Sequence, residues 1–296
     1  MGHSHHHDTE NMGDKRLVWA IAVNVLLTLS QLVGGALSGS LSLIADAVHN
    51  LSDAASLVIA LAARKIGRKP PDAFKTFGYK RAETIAALIN ITTLIIIGLY
   101  LIYEALWRII EPQPIDGWIV VIVAAIALVV DVGTAMLTFT MRKSSMNIKA
   151  AFLHNVSDAL ASVGVIIAGS SILVFGWYWM DTVVTLIIAG YVLWQGAAMM
   201  PQTIHLLMEG TPKDIVLNDV LAAMEGVEGV ENIHHLHIWQ LDEHRNALDA
   251  NVLVLSDNLL AIETTKEKLK ALLAETFNVS HSTLEFEHPH SKCCGE

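Results

Sequence analysis

Two six-residue stretches, His49-Asn50-Leu51-Ser52-Asp53-Ala54 and His154-Asn155-Val156-Ser157-Asp158-Ala159, agree at five of six positions. Both sit inside apolar runs that are otherwise dissimilar. In a helix, a His and an Asp four residues apart share a face and stand about 6 Å apart along the axis. Two such faces brought together supply two imidazoles and two carboxylates, enough for a tetrahedral metal site. An ionisable side chain at the middle of a membrane costs about 2.5–3.5 kcal/mol on insertion scales. Four of them are tolerable when a dication balances the two carboxylates and leaves a neutral site. A single His-Asp pair could equally serve as an interhelical hydrogen bond; its duplication points to metal.

The segments that carry these motifs read as membrane spans. The chain has 296 residues, of which 53% are hydrophobic and 16% charged, whereas soluble domains carry about 25% charged residues. Six apolar segments, near 17–37, 41–63, 82–107, 118–140, 150–175 and 181–200, each approach the length of about 20 residues that crosses a bilayer. Gly39-Ser40, Pro70-Pro71, Pro112 with Pro114, and Pro201 mark the breaks. Trp107, Trp118, Trp177 and Trp179 fall at segment ends, where interfacial aromatics collect.

Basic residues orient the spans. Lys15 and Arg16 precede the first; Arg64, Lys65, Arg68, Lys69, Lys75, Lys80 and Arg81 follow the second; Arg142, Lys143 and Lys149 lie between the fourth and fifth. The opposite side offers little beyond Arg108. Both termini are therefore expected in the cytoplasm, with the protein multi-pass in the inner or plasma membrane. A net charge of −10 argues against nucleic acid as a partner. The only cysteines, Cys293 and Cys294, stand at the extreme C-terminus, so no disulfide framework is expected. Nothing resembles a cleavable signal peptide.

Beyond about residue 208 the composition becomes that of a soluble domain. Thr211-Pro212 is expected to open an amphipathic helix bearing Ile215, Val220, Leu221 and Met224. Residues 230–241 and 247–255 read as strands, 261–277 as a helix and 281–287 as a last strand. The fold class is thus a polytopic α-helical membrane protein of six transmembrane helices, followed by a small cytosolic α+β open-faced sandwich in the order α-β-β-α-β. The expected parts are a His-rich cytoplasmic tail over 1–14, a transport domain over 15–207, a cytosolic domain over 208–288 and a Cys-containing tail over 289–296.

Taken in order, the chain resembles the cation diffusion facilitator family of zinc, cobalt and cadmium transporters, in particular its bacterial zinc efflux branch. The likeness runs through Ser38-Gly39-Ser40-Leu41-Ser42-Leu43-Ile44-Ala45-Asp46-Ala47, both His-x-x-x-Asp elements and Phe77-Gly78-Tyr79-Lys80-Arg81-Ala82-Glu83. It continues through Leu207-Met208-Glu209-Gly210-Thr211-Pro212 and His234-His235-Leu236-His237-Ile238-Trp239. The resemblance implies a homodimer with a metallochaperone-like cytosolic domain that exchanges metal for protons. It also implies a transport site at His49, Asp53, His154 and Asp158. His234, His281 and Glu287 fall where relatives place cytosolic metal ligands, Asn251 stands where His is common, and Cys293-Cys294 resembles a C-terminal thiol motif. Some relatives hold a second metal in the loop after helix two; Lys75 and Tyr79 beside Asp72 predict none there.

Mixed imidazole and carboxylate donors suit Zn2+, and by extension Co2+ and Cd2+, better than Mg2+ or Ca2+, which want six or more oxygens. Metal binding needs neutral imidazole, so protons and metal compete for one set of groups. The function expected is export of Zn2+ in exchange for protons, by alternating access around the buried His2Asp2 site. A membrane metallo-hydrolase lacks its His-Glu-x-x-His and an open coordination position. A metal sensor leaves the duplicated intramembrane motif without purpose. The interrupted run His3-Ser4-His5-His6-His7 reads as a metal-collecting tail. By strand alternation His235 and His237 share a face with Trp239, and His234 points the other way. Asn24, Gln31, Asn90 and Asp131 are expected at interhelical contacts, Asp131 with a possible proton-relay role, and Asp46 lies near the face of His49.

Overall fold

A computed structural model describes residues 25–139, 146–242, 245–256 and 258–288. Its helices in the first part are α1 (Val25–Ser38), α2 (Leu41–Gly67), α3 (Arg81–Ile110), α4 (Gly117–Phe139), α5 (Met146–Phe175) and α6 (Trp179–Leu207). Helices α2 to α6 are long and apolar enough to cross a membrane, and α1 is a shorter apolar helix over its described residues. The second part runs α7 (Leu217–Glu225), β1 (Asn232–Asp242), β2 (Arg245–Leu253), α8 (Leu259–Phe277) and β3 (Val279–Glu287). This is the expected α-β-β-α-β order. The His-rich tail with His3 and His5, the first spans' Asn24, and Cys293 with Cys294 lie outside the described residues.

The chain divides into two compact units: the described residues up to Leu61 with Ile89–Met199, and Ala62–Leu88 with the described residues from Met200. In the first, the interior is small and aliphatic. Leu43, Ala105, Val120, Ala124, Val165 and Ala168 are buried together, while Leu99, Ile122, Val129 and Trp194 remain exposed, as faces turned to lipid should. Small residues let helices approach. A Cβ on Gly196 of α6 would meet Ile95 Cγ1 of α3 at 2.9 Å, and one on Gly98 of α3 would meet Leu193 Cγ of α6 at 2.8 Å.

The start of α2 is fixed by a carboxylate from another helix. Asp181, in the first turn of α6 and fully buried, accepts from Ser40 Oγ at 2.6 Å, Leu41 N at 2.8 Å and Ser42 N at 3.3 Å. These are donors that an α-helix leaves unsatisfied at its N-terminus, and a negative charge there is favoured by the helix dipole. Arg108, at the end of α3, lies 4.0 Å from the same carboxylate and donates to the Gly39 carbonyl. Gly39 turns the chain between α1 and α2 at φ 74°, where a Cβ would sit 2.9 Å from the Pro114 carbonyl oxygen. Pro201 does not end α6, as its place at a break suggests; the helix runs on to Leu207 with the proline inside. Losing one backbone donor and crowding the preceding turn is tolerable inside a long helix where neighbouring groups re-satisfy the backbone.

In the second unit the sheet order is β1-β2-β3. Strands β1 and β2 are antiparallel, and β2 pairs with β3 in parallel through the α8 crossover. Ile233, Ile238, Leu248 and Val252 line one sheet face and pack with Leu269 and Leu273 of α8. Helix α7 begins at Leu217, later than Thr211-Pro212 suggests, because Pro212 is spent in a turn that accepts from Ile215 N at 3.1 Å. Lys80 and Arg81 join this unit from the loop side: Lys80 Nζ lies 3.3 Å from Asp242, and Arg81 3.2 Å from Glu209.

Candidate metal centre

His49 and Asp53 sit one turn apart on α2, and His154 and Asp158 one turn apart on α5. The four side chains converge. His154 Nε2 lies 3.2 Å from Asp53 Oδ2 and 3.4 Å from Asp158 Oδ2. His49 Nε2 lies 3.7 Å from Asp53 Oδ2 and 3.8 Å from Asp158 Oδ1. One ligand atom from each of His49, Asp53 and His154 lies within 4.8 Å of the other two; Asp158 falls outside that group of three, although its oxygens approach His49 to 3.8 Å and His154 to 3.4 Å. Each imidazole thus faces the carboxylate of the opposite helix as well as its own. That cross pattern, 49 with 158 and 53 with 154, is the pattern of antiparallel helices, which α2 and α5 must be if each intervening span reverses the chain.

The site is buried at one end and open at the other. The His49 and Asp158 side chains are 6% and 10% exposed, those of Asp53 and His154 38% and 41%. Asp53 Oδ2, Asp158 Oδ1 and His49 Nδ1 are buried atoms with no hydrogen-bond partner among the described residues. Unsatisfied carboxylate oxygens in an apolar interior are costly, and they are in place to take a cation. Two carboxylates and two neutral imidazoles hold a dication at zero net charge, so the donor set fits a divalent ion of the zinc type.

Residues beyond the two motifs complete the surroundings. Tyr191 of α6 sets its ring edge-on to His49, with centroids 6.4 Å apart. Asp46, one turn before His49, accepts from Gln31 Nε2 of α1 at 2.6 Å, and Asp131 of α4 accepts from Ser162 Oγ of α5 at 3.0 Å. Asp181, Arg108 and Tyr191 were not singled out by sequence reading as site supports. The usable signal for Asp181 was an acidic residue opening an apolar helix, together with Ser40-Leu41-Ser42 at another helix start and Arg108 nearly alone on that side. Tyr191 carries no such mark.

The cytosolic candidates are only partly brought together. His234 Nε2 lies 3.2 Å from Glu287 Oε2, and Asn251 Nδ2 donates to Glu287 Oε1. Asn251 therefore orients the carboxylate toward the histidine. His281 stands apart: it pairs with Ala247, four residues along β2 from Asn251, and its ring packs edge-on to Phe77. Four residues of strand are about 13 Å, too far for one ion. The alternation expected for β1 is also corrected. His234 pairs with Asn251 and His237 with Asp249, so β1 spends three residues where β2 spends two. The extra residue, His235, takes φ 51° in a β-bulge. His234 and His237 consequently share a face with Trp239, and His235 is the one set aside. In the loop before α3, the Asp72 carboxylate accepts from Phe74 N and Lys75 N, each at 2.8 Å, and from Tyr79 Oη at 2.6 Å.

Residues 17–208 match the cation efflux transmembrane domain, and residues 212–289 the cytoplasmic domain of cation efflux proteins. A Bacillus subtilis protein named cadmium, cobalt and zinc/H(+)-K(+) antiporter is 38% identical over 291 residues, covering 97% of this chain and 92% of its own. The metal cation efflux system protein CzcD of Cupriavidus metallidurans is 35% identical, covering 97% of this chain and 90% of its own. The zinc transporter ZitB of Pectobacterium atrosepticum is 35% identical over 299 residues, at 97% and 89% coverage.

Proposed function

Because the chain belongs to the cation efflux family of zinc, cadmium and cobalt transporters, which are not enzymes, we propose that it exports Zn2+, with Co2+ and Cd2+ as further substrates, in exchange for protons. The ligands are His49, Asp53, His154 and Asp158. The observation that carries this reading is the cross-facing of the two His-Asp pairs, with a bare buried oxygen on each carboxylate.

Both termini are cytoplasmic, in the plasma or inner membrane. The Asp53–His154 edge, toward the C-terminal part of α2 and the N-terminal part of α5, then faces the cytoplasm, and its greater exposure corresponds to an inward-open site. Metal enters there and displaces protons from the imidazoles, because only neutral imidazole ligates. Rocking of the helices carries the closed His49–Asp158 end to the outer face. Protons arriving there compete for the same nitrogens and release the metal. The cytoplasmic domain joins two copies of the chain into a dimer. Zinc uptake into proteoliposomes, with and without an imposed pH gradient, tests the reading. Uptake that quickens when protons can run the opposite way is expected, and uptake indifferent to the gradient would contradict the exchange.

A further inference from the structure

Helices α2 and α6 touch at two levels. At the first, the Asp181 carboxylate of α6 holds Ser40, Leu41 and Ser42 at the start of α2. At the second, the Tyr191 ring of α6 stands edge-on to the His49 ring of α2, with centroids 6.4 Å apart and planes at 86°. Spacing ties the two levels together. Ser42, Ala45 and His49 follow a three-four step and share one face of α2, while Asp181, Val184, Ile188 and Tyr191 follow a three-four-three step and share one face of α6. All of these but Tyr191 are buried, and Ala45, Val184 and Ile188 belong to one apolar cluster. From Ser42 to His49 is about 10.5 Å of helix and from Asp181 to Tyr191 about 15 Å. A long tyrosine side chain leaning toward the start of its helix takes up that difference. One face of α6 thus runs along the His49 face of α2 and parallel to it.

His49 needs support of this kind. A metal-binding imidazole ordinarily donates its second ring nitrogen to a carboxylate, a carbonyl or water, which fixes the plane of the ring. The His49 Nδ1 is buried with no hydrogen-bond partner among the described residues. Its Nε2 is the nitrogen that faces Asp53 Oδ2 and Asp158 Oδ1, and a turn of the ring would carry it away from them. Two rings meet the imidazole edge-on: His154, with centroids 6.1 Å apart, and Tyr191. His154 is itself in the ligand set. Tyr191 is not, and its other neighbour is Trp194 of the same helix, at 6.2 Å. A near-perpendicular edge contact at such a distance is a favoured arrangement of aromatic rings.

We infer that Tyr191 is a positioning residue for His49, holding the imidazole through its ring so that Nε2 points at the two carboxylates. The inference rests on the metal-site reading above. Tyr191 touches no metal; it sets how well the site takes a zinc-type ion by keeping one of the nitrogens in place before the ion arrives.

The test uses the full-length protein in detergent, with Tyr191→Leu, Tyr191→Met, Tyr191→Phe, His49→Ala and the double variant Tyr191→Leu with His49→Ala. Zinc affinity is measured by calorimetry, and ligand geometry by the visible absorption of Co2+ bound in place of zinc. The binding event missing from Asp158→Ala is the one that belongs to the four ligands. Tyr191→Leu and Tyr191→Met are expected to weaken it by about tenfold and to alter the Co2+ spectrum, while Tyr191→Phe keeps both at wild-type values. In the His49→Ala background Tyr191→Leu should cost nothing further, because the tyrosine acts through His49. Wild-type affinity and spectrum in the leucine and methionine variants would overturn the inference. So would an equal loss in Tyr191→Phe, or an undiminished loss in the double variant. Failure of both the leucine and methionine variants to fold, beside a folded Tyr191→Phe, would overturn it too, by making the ring a packing residue of the bundle. Failure of the transport reading is seen separately, as absence of zinc flux in wild-type vesicles.

Discussion

His154 Nε2 is nearer to Asp53 Oδ2 on α2, at 3.2 Å, than to Asp158 Oδ2 on its own helix, at 3.4 Å. The closest polar contact of the cluster thus joins two helices. A cation placed among these atoms would bind α2 to α5, and its departure would leave two carboxylates to repel each other. On the proposed function, the cluster is in this sense both a binding site and a switch on helix separation.

Selectivity should follow donor type. His49→Asp replaces a nitrogen with a third carboxylate, and the loaded site then carries net negative charge. Zinc affinity should fall by about tenfold or more, with cadmium or manganese gaining relative to zinc and a changed pH dependence. Competition among zinc, cadmium and manganese at two pH values measures this. An unchanged metal ranking would remove His49 from the ligand set.

The Asp181 cap should matter for stability. Asp181→Ala strips the acceptor from Ser40 Oγ and Leu41 N and leaves Arg108 without its buried partner. Breaking a buried charge pair by removing one member costs about 3–5 kcal/mol, so detergent-solubilised protein should unfold at markedly lower temperature. Asp181→Asn, which can still accept a hydrogen bond, should lose less. Equal melting of Asp181→Ala and the unaltered chain would contradict the cap.

Helix contact through glycine gives a steric prediction. Gly196→Val puts a branched side chain against Ile95, where even a Cβ has only 2.9 Å. Overpacking of this kind costs about 1–3 kcal/mol, read as reduced thermal stability. The double change with Ile95→Ala should recover part of the loss.

The loop before α3 should respond to acid. Its Asp72 carboxyl is held below the ordinary value of 3.8, first by the Tyr79 hydroxyl and then by the backbone amides of Lys75 and Phe74. A lowered folded-state value means that the ordering is fully present above 3.8 and is lost as pH falls through the lowered value. Hydrogen exchange at the Phe74 and Lys75 amides, corrected for intrinsic rates, should therefore lose protection only in strong acid. Tyr79→Phe should move that loss to higher pH.

Sequence made the two His-x-x-x-Asp elements visible because helical period alone puts His and Asp on one face. Which helices meet is a tertiary fact, and so the hold of Gln31 on Asp46, and of Asp181 on Ser40 across 141 residues, could not be read from spacing. The bulge at His235 was hidden for a different reason. A positive φ at a non-glycine residue leaves no signature in composition, and one extra residue then reverses the faces of everything on one side of it. Pro201 misled because proline is a strong helix breaker in water but a tolerated one inside a membrane helix.

The most direct measurement of the central claim is zinc flux by Asp158→Ala in proteoliposomes, made beside a check of folding by thermal melting and elution volume. Asp158 supplies two of the four short contacts of the cluster, yet its side chain makes no other ion pair among the described residues. Flux should fall by on the order of 100-fold or more with the fold intact. A stable variant that carries zinc at the rate of the unaltered chain would contradict the four-residue transport site.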